Sequence, residues 1–189
     1  RLSDRVVIVT GAASGIGQAT AIRLASEGAK VLASDINEAG LAETLATITD
    51  AGGEAITHQA DISQEADAAG TVAAAVDAWG RLDGLANIAG MLRSGRTHEF
   101  SLDSWNQVIA VNLTGTFLMC RAALPHLIEA KGAIVNAAST SSFFGHPWMG
   151  AYAASKGAIL SFTQTLAVEY ATVPVRAVRA IPAGAGGAC

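Results

Sequence analysis

Three side chains around residue 150 have the types and the spacing for proton transfer. Tyr152 and Lys156 are four residues apart, so on a helix they would project from the same face. A phenol ionises only near pH 10, and it becomes a useful acid–base group at neutral pH when a nearby ammonium favours the phenolate. Ser139 precedes Tyr152 by thirteen residues, and at the end of a strand its hydroxyl could hold a substrate oxygen. This set predicts acid–base chemistry at a hydroxyl or carbonyl group, although a Tyr-x3-Lys pair alone is common in helices.

A glycine-rich turn near the amino terminus predicts a nucleotide site. Residues 10–17 read TGAASGIG, after an apolar run at 6–9 and before an apolar helical pattern. Glycines at such a strand-to-helix turn permit the turn itself, close approach of a ligand to the backbone, and close helix–strand packing. The N–H groups in the first turn of the helix would then bind a pyrophosphate. The spacing is G-x3-G-x-G rather than G-x-G-x-x-G, so a turn without a ligand is the competing interpretation.

Two acidic residues follow predicted strands and could contact the rest of a dinucleotide. Asp35 comes eighteen residues after Gly17, where a carboxylate can accept hydrogen bonds from the adenosine ribose and repel a 2′-phosphate. Its alternative role is a helix N-cap, for which Asn37 is better placed. Asp61 either meets the adenine amino group or forms a solvated cap with Ser63, and the sequence leaves both open.

The rest of the chain alternates strand and helix patterns that could position these groups. The predicted strands cover 6–9, 30–35, 54–60, 82–87, 132–138 and 173–181. The predicted helices that follow the first one cover 38–51, 64–79, 102–128 and 152–170, with a break at Pro125 as one alternative. Repeated βα units predict an α/β fold, a doubly wound parallel sheet in three layers with strand order 3-2-1-4-5-6. We expect one domain over residues 1–189, with its ligand crevice at the carboxyl ends of strands 1 and 4.

Composition excludes several other classes of function. The 189 residues carry a net charge of −4, which provides no basic surface for nucleic acid or an anionic membrane. Cys120, on a helical pattern, is predicted to be a small buried apolar residue, and neither the two cysteines nor the four histidines show metal-ligand spacing. No signal peptide or long apolar run is visible, so we expect no membrane segment, no metal and a cytoplasmic protein.

In this order, the motifs resemble those of the short-chain dehydrogenases/reductases. The matching residues are Thr10-Gly11-x3-Gly15-Ile16-Gly17, Asp35, Asp61, Asn87-x-Ala89-Gly90, Asn112, Ser139 and Tyr152-x3-Lys156. The resemblance implies hydride transfer between a nicotinamide cofactor and a secondary alcohol or ketone. It implies that Tyr152 is the general acid/base, that Ser139 polarises the substrate oxygen, and that Lys156 binds the nicotinamide ribose. It further implies that Asn112 holds a proton-relay water and that Asp35 marks a preference for NAD over NADP.

The residues expected to border the cofactor follow from the turn, the strand ends and this resemblance. They are Gly11, Ser14, Gly15, Ile16, Gly17, Asp35, Ile36, Asp61, Ile62, Asn87, Ala89, Gly90, Tyr152, Lys156 and Pro182. Pro182 stands in a disturbed pattern, because residues 178–184 read VRAIPAG where the family usually has N-x-(I/V)-x-P-G. The family's substrate loop, helix and seventh strand do not follow, so we expect the working protein to contain roughly 50–70 further residues.

Some alternatives stay open at the level of sequence. A nucleotide-binding regulator or scaffold could keep this fold without turnover, and a methyltransferase could share it without needing Ser139, Tyr152 and Lys156 together. His146 and Trp148, between the serine and the tyrosine, either line a substrate pocket or pack within a loop. Apolar residues on more than one face of the two long helices predict a homo-oligomer, either a dimer or a tetramer.

Overall fold

A computed structural model describes residues 1–173 and 175–181. Six strands form one parallel sheet with the order β3-β2-β1-β4-β5-β6, which confirms the predicted fold class and strand order. The strands are β1 (Val6–Thr10), β2 (Lys30–Asp35), β3 (Glu54–Gln59), β4 (Gly84–Asn87), β5 (Ala133–Ala137) and β6 (Arg176–Ala180).

The centre of the sheet is β1, which is buried along its whole length as its apolar sequence requires. It pairs with β2 on one side and β4 on the other, so the strand order reverses there. In register, Thr10 lies beside Ser34 and Asn87, and Asn87 lies beside Asn136. The carboxyl ends of the central strands therefore meet at one edge, where a crevice opens at the point of reversal.

Helices cover both faces of the sheet, which gives the predicted three layers. One apolar cluster joins alternate residues of β1 and β2 to α1 (Gly15–Ser26) and α2 (Glu38–Asp50). The other cluster joins the opposite faces of β1, β4 and β5 to α3 (Glu65–Trp79), α5 (Thr116–Ala130) and α6 (Gly150–Glu169). The predicted N-cap of α2 is confirmed, since Asn37 Oδ1 accepts a hydrogen bond from the Gly40 N–H at 3.2 Å.

The long helix predicted over 102–128 is three consecutive segments. These are α4 (Leu102–Ile109), a π-helical turn (Ala110–Gly115) and α5. Pro125 lies inside α5 without ending it, so the alternative of a break there is wrong. The irregularity falls at the π turn instead, where the Thr116 hydroxyl donates to the Asn112 carbonyl oxygen at 2.6 Å. Gly115 packs so closely on Ile62 that an added Cβ would lie 2.9 Å from its Cδ1.

Within the described residues, the run Leu102–Ala130 is the one helical stretch whose length and composition would suit a membrane span. Half of that stretch is buried inside the fold. Its apolar residues include Met119, Ala123 and Leu127, which belong to the core beneath the sheet. We therefore interpret the run as a core helix.

Candidate active site

Lys156 is buried on α6, with 4% of its surface exposed, and its ammonium reaches the end of β5. Nζ donates a hydrogen bond to the Ala137 carbonyl oxygen at 2.7 Å. Burial lowers the pKa of Lys156 from 10.5 to about 8, because removing water disfavours the charged form. The group can therefore gain and lose its proton much closer to neutral pH than an exposed lysine does.

Tyr152 lies one turn before Lys156 on the same side of α6, as their spacing predicts. The Lys156 Nζ atom is 5.8 Å from the centre of the Tyr152 ring. The tyrosine is half-buried, so its phenol can meet a ligand while an ammonium stands close to it.

Ser139 follows β5 and caps a short 3₁₀ turn (Thr140–Ser142). Its Oγ accepts a hydrogen bond from the Ser141 N–H at 3.1 Å. That contact uses a lone pair of the oxygen and leaves the hydroxyl proton available to a second partner. Ser139 can therefore donate to a substrate oxygen while its own position is held by the turn.

Asn112 lies fully buried in the π turn and joins the loop after β4 to α6. Its Oδ1 accepts from the Met91 N–H at 2.7 Å, and its Nδ2 donates to the Met91 carbonyl at 3.0 Å and to Ser155 Oγ at 3.0 Å. The side-chain amide is thus occupied by protein partners. The expected role in holding a relay water stays a prediction.

Gly90 brings this cluster against the nucleotide side of the crevice. A Cβ at Gly90 would lie 3.2 Å from Asn112 Oδ1 and 3.5 Å from Lys156 Nζ. Any larger side chain would therefore press on the lysine and the asparagine. Because Gly90 has no side chain, Lys156 and Asn112 can lie directly against the cleft that Gly90 lines.

The crevice at the carboxyl ends of β1, β2, β3 and β4 contains a cleft of about 530 Å³. It brings together most of the residues expected to border a cofactor, and these are Gly11, Ser14, Gly15, Ile16, Gly17, Asp35, Ile36, Asp61, Ile62, Ala89 and Gly90. Sequence reasoning missed Ser34, Ala60, Ile88, Met91 and Val111, which also line it. Pro182 lies outside the described residues.

The turn after β1 requires glycine for reasons of space. Gly11 has φ +70°, and a Cβ there would lie 2.7 Å from the Ala89 Cα. A Cβ at Gly17 would lie 1.9 Å from the Gly11 carbonyl oxygen. Because Gly11 and Gly17 have no Cβ, α1 can begin directly against β1 and the loop after β4 can lie across the turn.

The start of α1 suits an anionic group. Ser14 precedes the helix without a side-chain hydrogen bond to it, and the first turn contains no acidic residue. Gly15 has no heavy atom within 4 Å of where its Cβ would be, so the approach to this turn is open. The free N–H groups and the helix dipole can therefore bind a phosphate, and the residues present fit a dinucleotide.

Asp35 and Asp61 both lie on the wall of this cleft, and each has local partners. Asp35 accepts from the Ala13 N–H at 3.1 Å and from the Asn37 N–H at 3.0 Å, which links the end of β2 to the glycine turn. Asp61 accepts from the Ser63 N–H at 3.0 Å and from the Ser63 hydroxyl at 2.7 Å. The cap with Ser63 considered from sequence is therefore formed. A contact between Asp61 and adenine stays a prediction.

Asn87, Tyr152 and Lys156 are not among the residues that line this cleft, and their contact with a cofactor stays a prediction. Asn87 has buried side-chain partners instead. It is 3% exposed, and its Nδ2 donates to Asn136 Oδ1 at 2.9 Å. Asn136 Nδ2 in turn donates to Thr163 Oγ1 at 3.0 Å. The three side chains connect β4, β5 and α6. Asn136 and Thr163 were missed because nothing in the local sequence indicates a pairing across 27 positions.

Two further side chains contribute to this frame. Thr10 Oγ1 accepts from the Ile88 N–H at 3.1 Å and from the Ala89 N–H at 3.2 Å, which holds the loop after β4 over the glycine turn. Cys120 is completely buried near Asn87, and burial raises the pKa of its thiol to about 12, so the prediction of a small buried apolar residue is confirmed. Within residues 1–173 and 175–181, no group of three His, Cys, Asp or Glu side chains is arranged to hold a metal ion.

Comparison with known proteins identifies the family that carries this arrangement. The family model for short chain dehydrogenases matches residues 5–186 of the chain. The chain belongs to the short-chain dehydrogenase family. Its members are oxidoreductases, and the resemblance read from the motifs is thereby confirmed.

Individual relatives of this short-chain dehydrogenase cover most of its length. The 2,5-dichloro-2,5-cyclohexadiene-1,4-diol dehydrogenase of Sphingobium indicum is 38% identical over 185 residues, which are 97% of this chain and 74% of that protein. The crystal structure of levodione reductase matches with a TM-score of 0.92 at 36% identity, over 95% of this chain and 71% of that one. Carveol dehydrogenase from Mycobacterium avium, crystallised in complex with NAD, matches with a TM-score of 0.92 at 29% identity, over 96% and 71%.

Proposed function

We propose that this short-chain dehydrogenase interconverts a secondary alcohol and a ketone with NAD(H), and that Tyr152 is its general acid/base. The observation that carries the proposal is the buried Lys156 ammonium beside the Tyr152 ring, at the Gly90 end of a cleft that fits a dinucleotide. Nucleotide binding alone does not require a buried lysine ammonium next to a tyrosine ring, so the Lys156–Tyr152 pair favours a catalytic role over a regulator or scaffold. A tyrosine with a desolvated ammonium next to it is suited to move a proton.

In the oxidation, a bound nicotinamide would supply the acceptor for the hydride that leaves the carbinol carbon. Tyr152, as phenolate, takes the proton of the alcohol hydroxyl as the C–O bond gains double-bond character. Ser139 donates its free hydroxyl proton to the same oxygen and fixes its position. Lys156 stabilises the negative charge on Tyr152 before the transfer and could also donate to the hydroxyls of the nicotinamide ribose. Reduction of a ketone runs through the same groups in the opposite direction.

Asp35 supports NAD rather than NADP as the cofactor. Its carboxylate lies at the end of β2 on the wall of the cleft, in a chain whose relative carveol dehydrogenase was crystallised with NAD. A carboxylate there can accept from the two ribose hydroxyls, whereas a 2′-phosphate would bring a second negative charge against it. The relative named for a cyclohexadiene diol supports an alcohol as the substrate.

The experiment that tests the proposal is NADH formation from a panel of secondary alcohols by the purified protein and by Tyr152→Phe. We expect the wild-type protein to turn over at least one alcohol, and the phenylalanine variant to lose about 10²–10⁴-fold in kcat. NADH binding should be retained in the variant, because the phenol contributes little to cofactor affinity. A variant with more than a third of the wild-type kcat would remove Tyr152 from the proposed role.

The outer surface of α5 and α6 supports a homo-oligomer, which we propose to be a dimer or a tetramer. Phe117 is 42% exposed, its ring meets the Phe162 ring edge-on at 6.2 Å, and Arg121 stacks over it at 5.5 Å. An exposed aromatic surface on two adjacent helices can be covered by the same surface of a second copy. Sedimentation of the protein as a monomer at micromolar concentration would contradict this.

A further inference from the structure

Ser155 lies on α6 between Tyr152 and Lys156, and it is completely buried. Its hydroxyl donates to the Tyr152 carbonyl oxygen at 2.7 Å and accepts from Asn112 Nδ2 at 3.0 Å. A serine that bonds only to the preceding turn of its own helix is a common local feature. Ser155 differs from such a serine, because its second bond reaches a residue 43 positions earlier in the chain.

Asn112 continues this connection to the cofactor cleft. Its amide forms two hydrogen bonds with the backbone of Met91, and Met91 lines the cleft. An amide group has two N–H donors, and those of Asn112 go to the Met91 carbonyl and to Ser155. Asn112 and Ser155 are both 0% exposed, so water does not compete for the bond between them. A continuous chain of hydrogen bonds therefore joins the cleft wall to the turn of α6 that carries Tyr152.

The burial of Ser155 excludes it from contact with a substrate. Its single hydroxyl proton is donated to the Tyr152 carbonyl, so it has no proton left for a reacting group. The neighbouring Lys156 is fixed by a different contact, the Ala137 carbonyl of β5. This turn of α6 is therefore held from two sides, by β5 through the lysine and by Asn112 through the serine.

We propose that Ser155 is a positioning residue, whose hydroxyl holds the Tyr152 turn of α6 in a fixed position relative to the cleft wall at Met91. This inference rests on the proposed function. With the link in place, the phenol of Tyr152 and a cofactor bound in the cleft keep one relative position. Proton and hydride leave the same carbinol group, so their transfer requires that position. Without the link, the turn and the loop after β4 move separately, and the reacting geometry is populated less often.

The kinetic test compares Ser155→Ala with Ser155→Thr, which keeps the hydroxyl, and with Ser161→Ala, which changes an exposed serine of the same helix. For an alcohol that the wild-type protein oxidises, kcat should fall about 10- to 100-fold in Ser155→Ala, because small displacements of reacting groups have effects of this order. NADH affinity should change less than about threefold, since Thr10 still holds the Ile88 and Ala89 N–H groups. Ser155→Thr should recover most of kcat, and Ser161→Ala should match the wild type.

Amide hydrogen exchange measures the link without any alcohol. The Met91 N–H is bonded to Asn112 Oδ1, so its exchange rate reports how firmly the cleft wall is held. In Ser155→Ala this amide should exchange about tenfold faster, because Asn112 loses one of its three side-chain hydrogen bonds. The Gly95 N–H, bonded to the Trp148 carbonyl outside this chain of bonds, is the internal reference and should change little. A purely structural serine would instead lower the urea midpoint and change both amides alike.

Two results overturn this inference alone. One is a wild-type kcat in Ser155→Ala, and the other is a Met91 amide whose exchange in that variant changes no more than that of Gly95. If the added methyl group lowers the urea midpoint of Ser155→Thr, Ser155→Cys replaces it, and the weaker hydrogen bonds of a thiol predict a kcat between those of serine and alanine. No oxidation of any alcohol with NAD⁺ or NADP⁺ by the wild-type protein overturns the proposed function, and this inference with it.

Discussion

The crevice is shaped by backbone around the turn after β1 and by buried side chains around α6. At the turn, Gly11 and Gly17 let the chain pass within van der Waals distance of its neighbours, and the ligand-facing groups are N–H donors of the helix start. Around α6, Lys156 is held by a carbonyl of β5, and Asn112 is held by the backbone of Met91. The first region contributes a shape and a dipole, and the second contributes groups whose protonation and position are controlled by burial.

This difference predicts opposite sensitivities. The glycine turn after β1 is damaged by adding atoms, because even one Cβ would overlap a neighbouring main-chain atom at Gly11 or Gly17. A catalytic cluster made of buried polar side chains is damaged by removing atoms, because each loss leaves a partner without a hydrogen bond.

The burial of Lys156 should cost stability at neutral pH, and Lys156→Met tests this. Its pKa is about 8 in the fold against 10.5 in an unfolded chain, so between these values the unfolded chain binds more protons and stability rises with pH. Below pH 8 the full penalty applies, which is about 3 kcal/mol for this shift. We therefore expect wild-type stability, relative to the methionine variant, to rise by about that amount between pH 7 and pH 10.5. Urea unfolding at several pH values measures it.

A matched control for this lysine is Lys131→Met, which changes an exposed lysine to the same residue. It should leave the slope of stability against pH unchanged. Parallel stability curves for wild type and Lys156→Met would contradict the assignment of a buried, weakened ammonium. The variant should also lack turnover at every pH, because the proposed reaction needs the lysine beside Tyr152.

The charge of Asp35 should set the preference between the two nicotinamide cofactors. Asp35→Asn removes the negative charge and keeps one side-chain oxygen, so it retains one of the two bonds from the Ala13 and Asn37 N–H groups, which donate to different oxygens of Asp35. Charge-assisted hydrogen bonds contribute ~1.5–3 kcal/mol, so the ratio of NADP(H) to NAD(H) affinity should rise by about tenfold or more. Fluorescence titration with both reduced cofactors measures the ratio. Asp61→Asn removes the same charge elsewhere on the cleft wall and should leave the ratio nearly unchanged.

The strands and the glycine turn on the β1 side of the crevice were largely predictable from sequence. The strand β2 was predicted with the bounds that the structure has, and β1 to within one residue, because buried apolar runs bounded by glycine or charged residues are local signals. The glycine turn and Asp35 follow these strands directly, so their meeting at one edge comes from topology alone. The predicted bounds of β4 and β6 were less accurate, since β4 begins at Gly84 rather than at residue 82 and β6 begins at Arg176 rather than at residue 173.

The side-chain frame around α6 could not be predicted in the same way. The π turn depends on the Thr116 hydroxyl at the Asn112 carbonyl and on close packing of Gly115 against Ile62. The left-handed backbone at Trp148 depends on its bond to Gly95 in another loop. Each of these requires a tertiary contact, and helical periodicity carries no information about it. Residue types indicated which side chains could do chemistry, and only the fold shows what holds them.

Thr163 offers the smallest and most specific test of that frame. Lys156 and Thr163 are two turns apart on α6 and contact adjacent residues of β5, Ala137 and Asn136. Thr163→Val keeps the shape but leaves the Asn136 amide without its acceptor, which should destabilise the fold by about 1–3 kcal/mol. If this bond sets how deeply α6 lies on the sheet, kcat should fall several-fold and its pH profile should shift with the burial of Lys156.

Thr163→Ser is the matched control, because it loses a methyl group but keeps the hydroxyl that Asn136 needs. It should restore both the pH profile and most of kcat, even if the missing methyl group costs some stability. A purely structural threonine would give two variants that differ from wild type in urea midpoint but share its pH profile. That result would remove Thr163 and Asn136 from the positioning of Lys156 and leave the Ala137 carbonyl as the contact that places the ammonium.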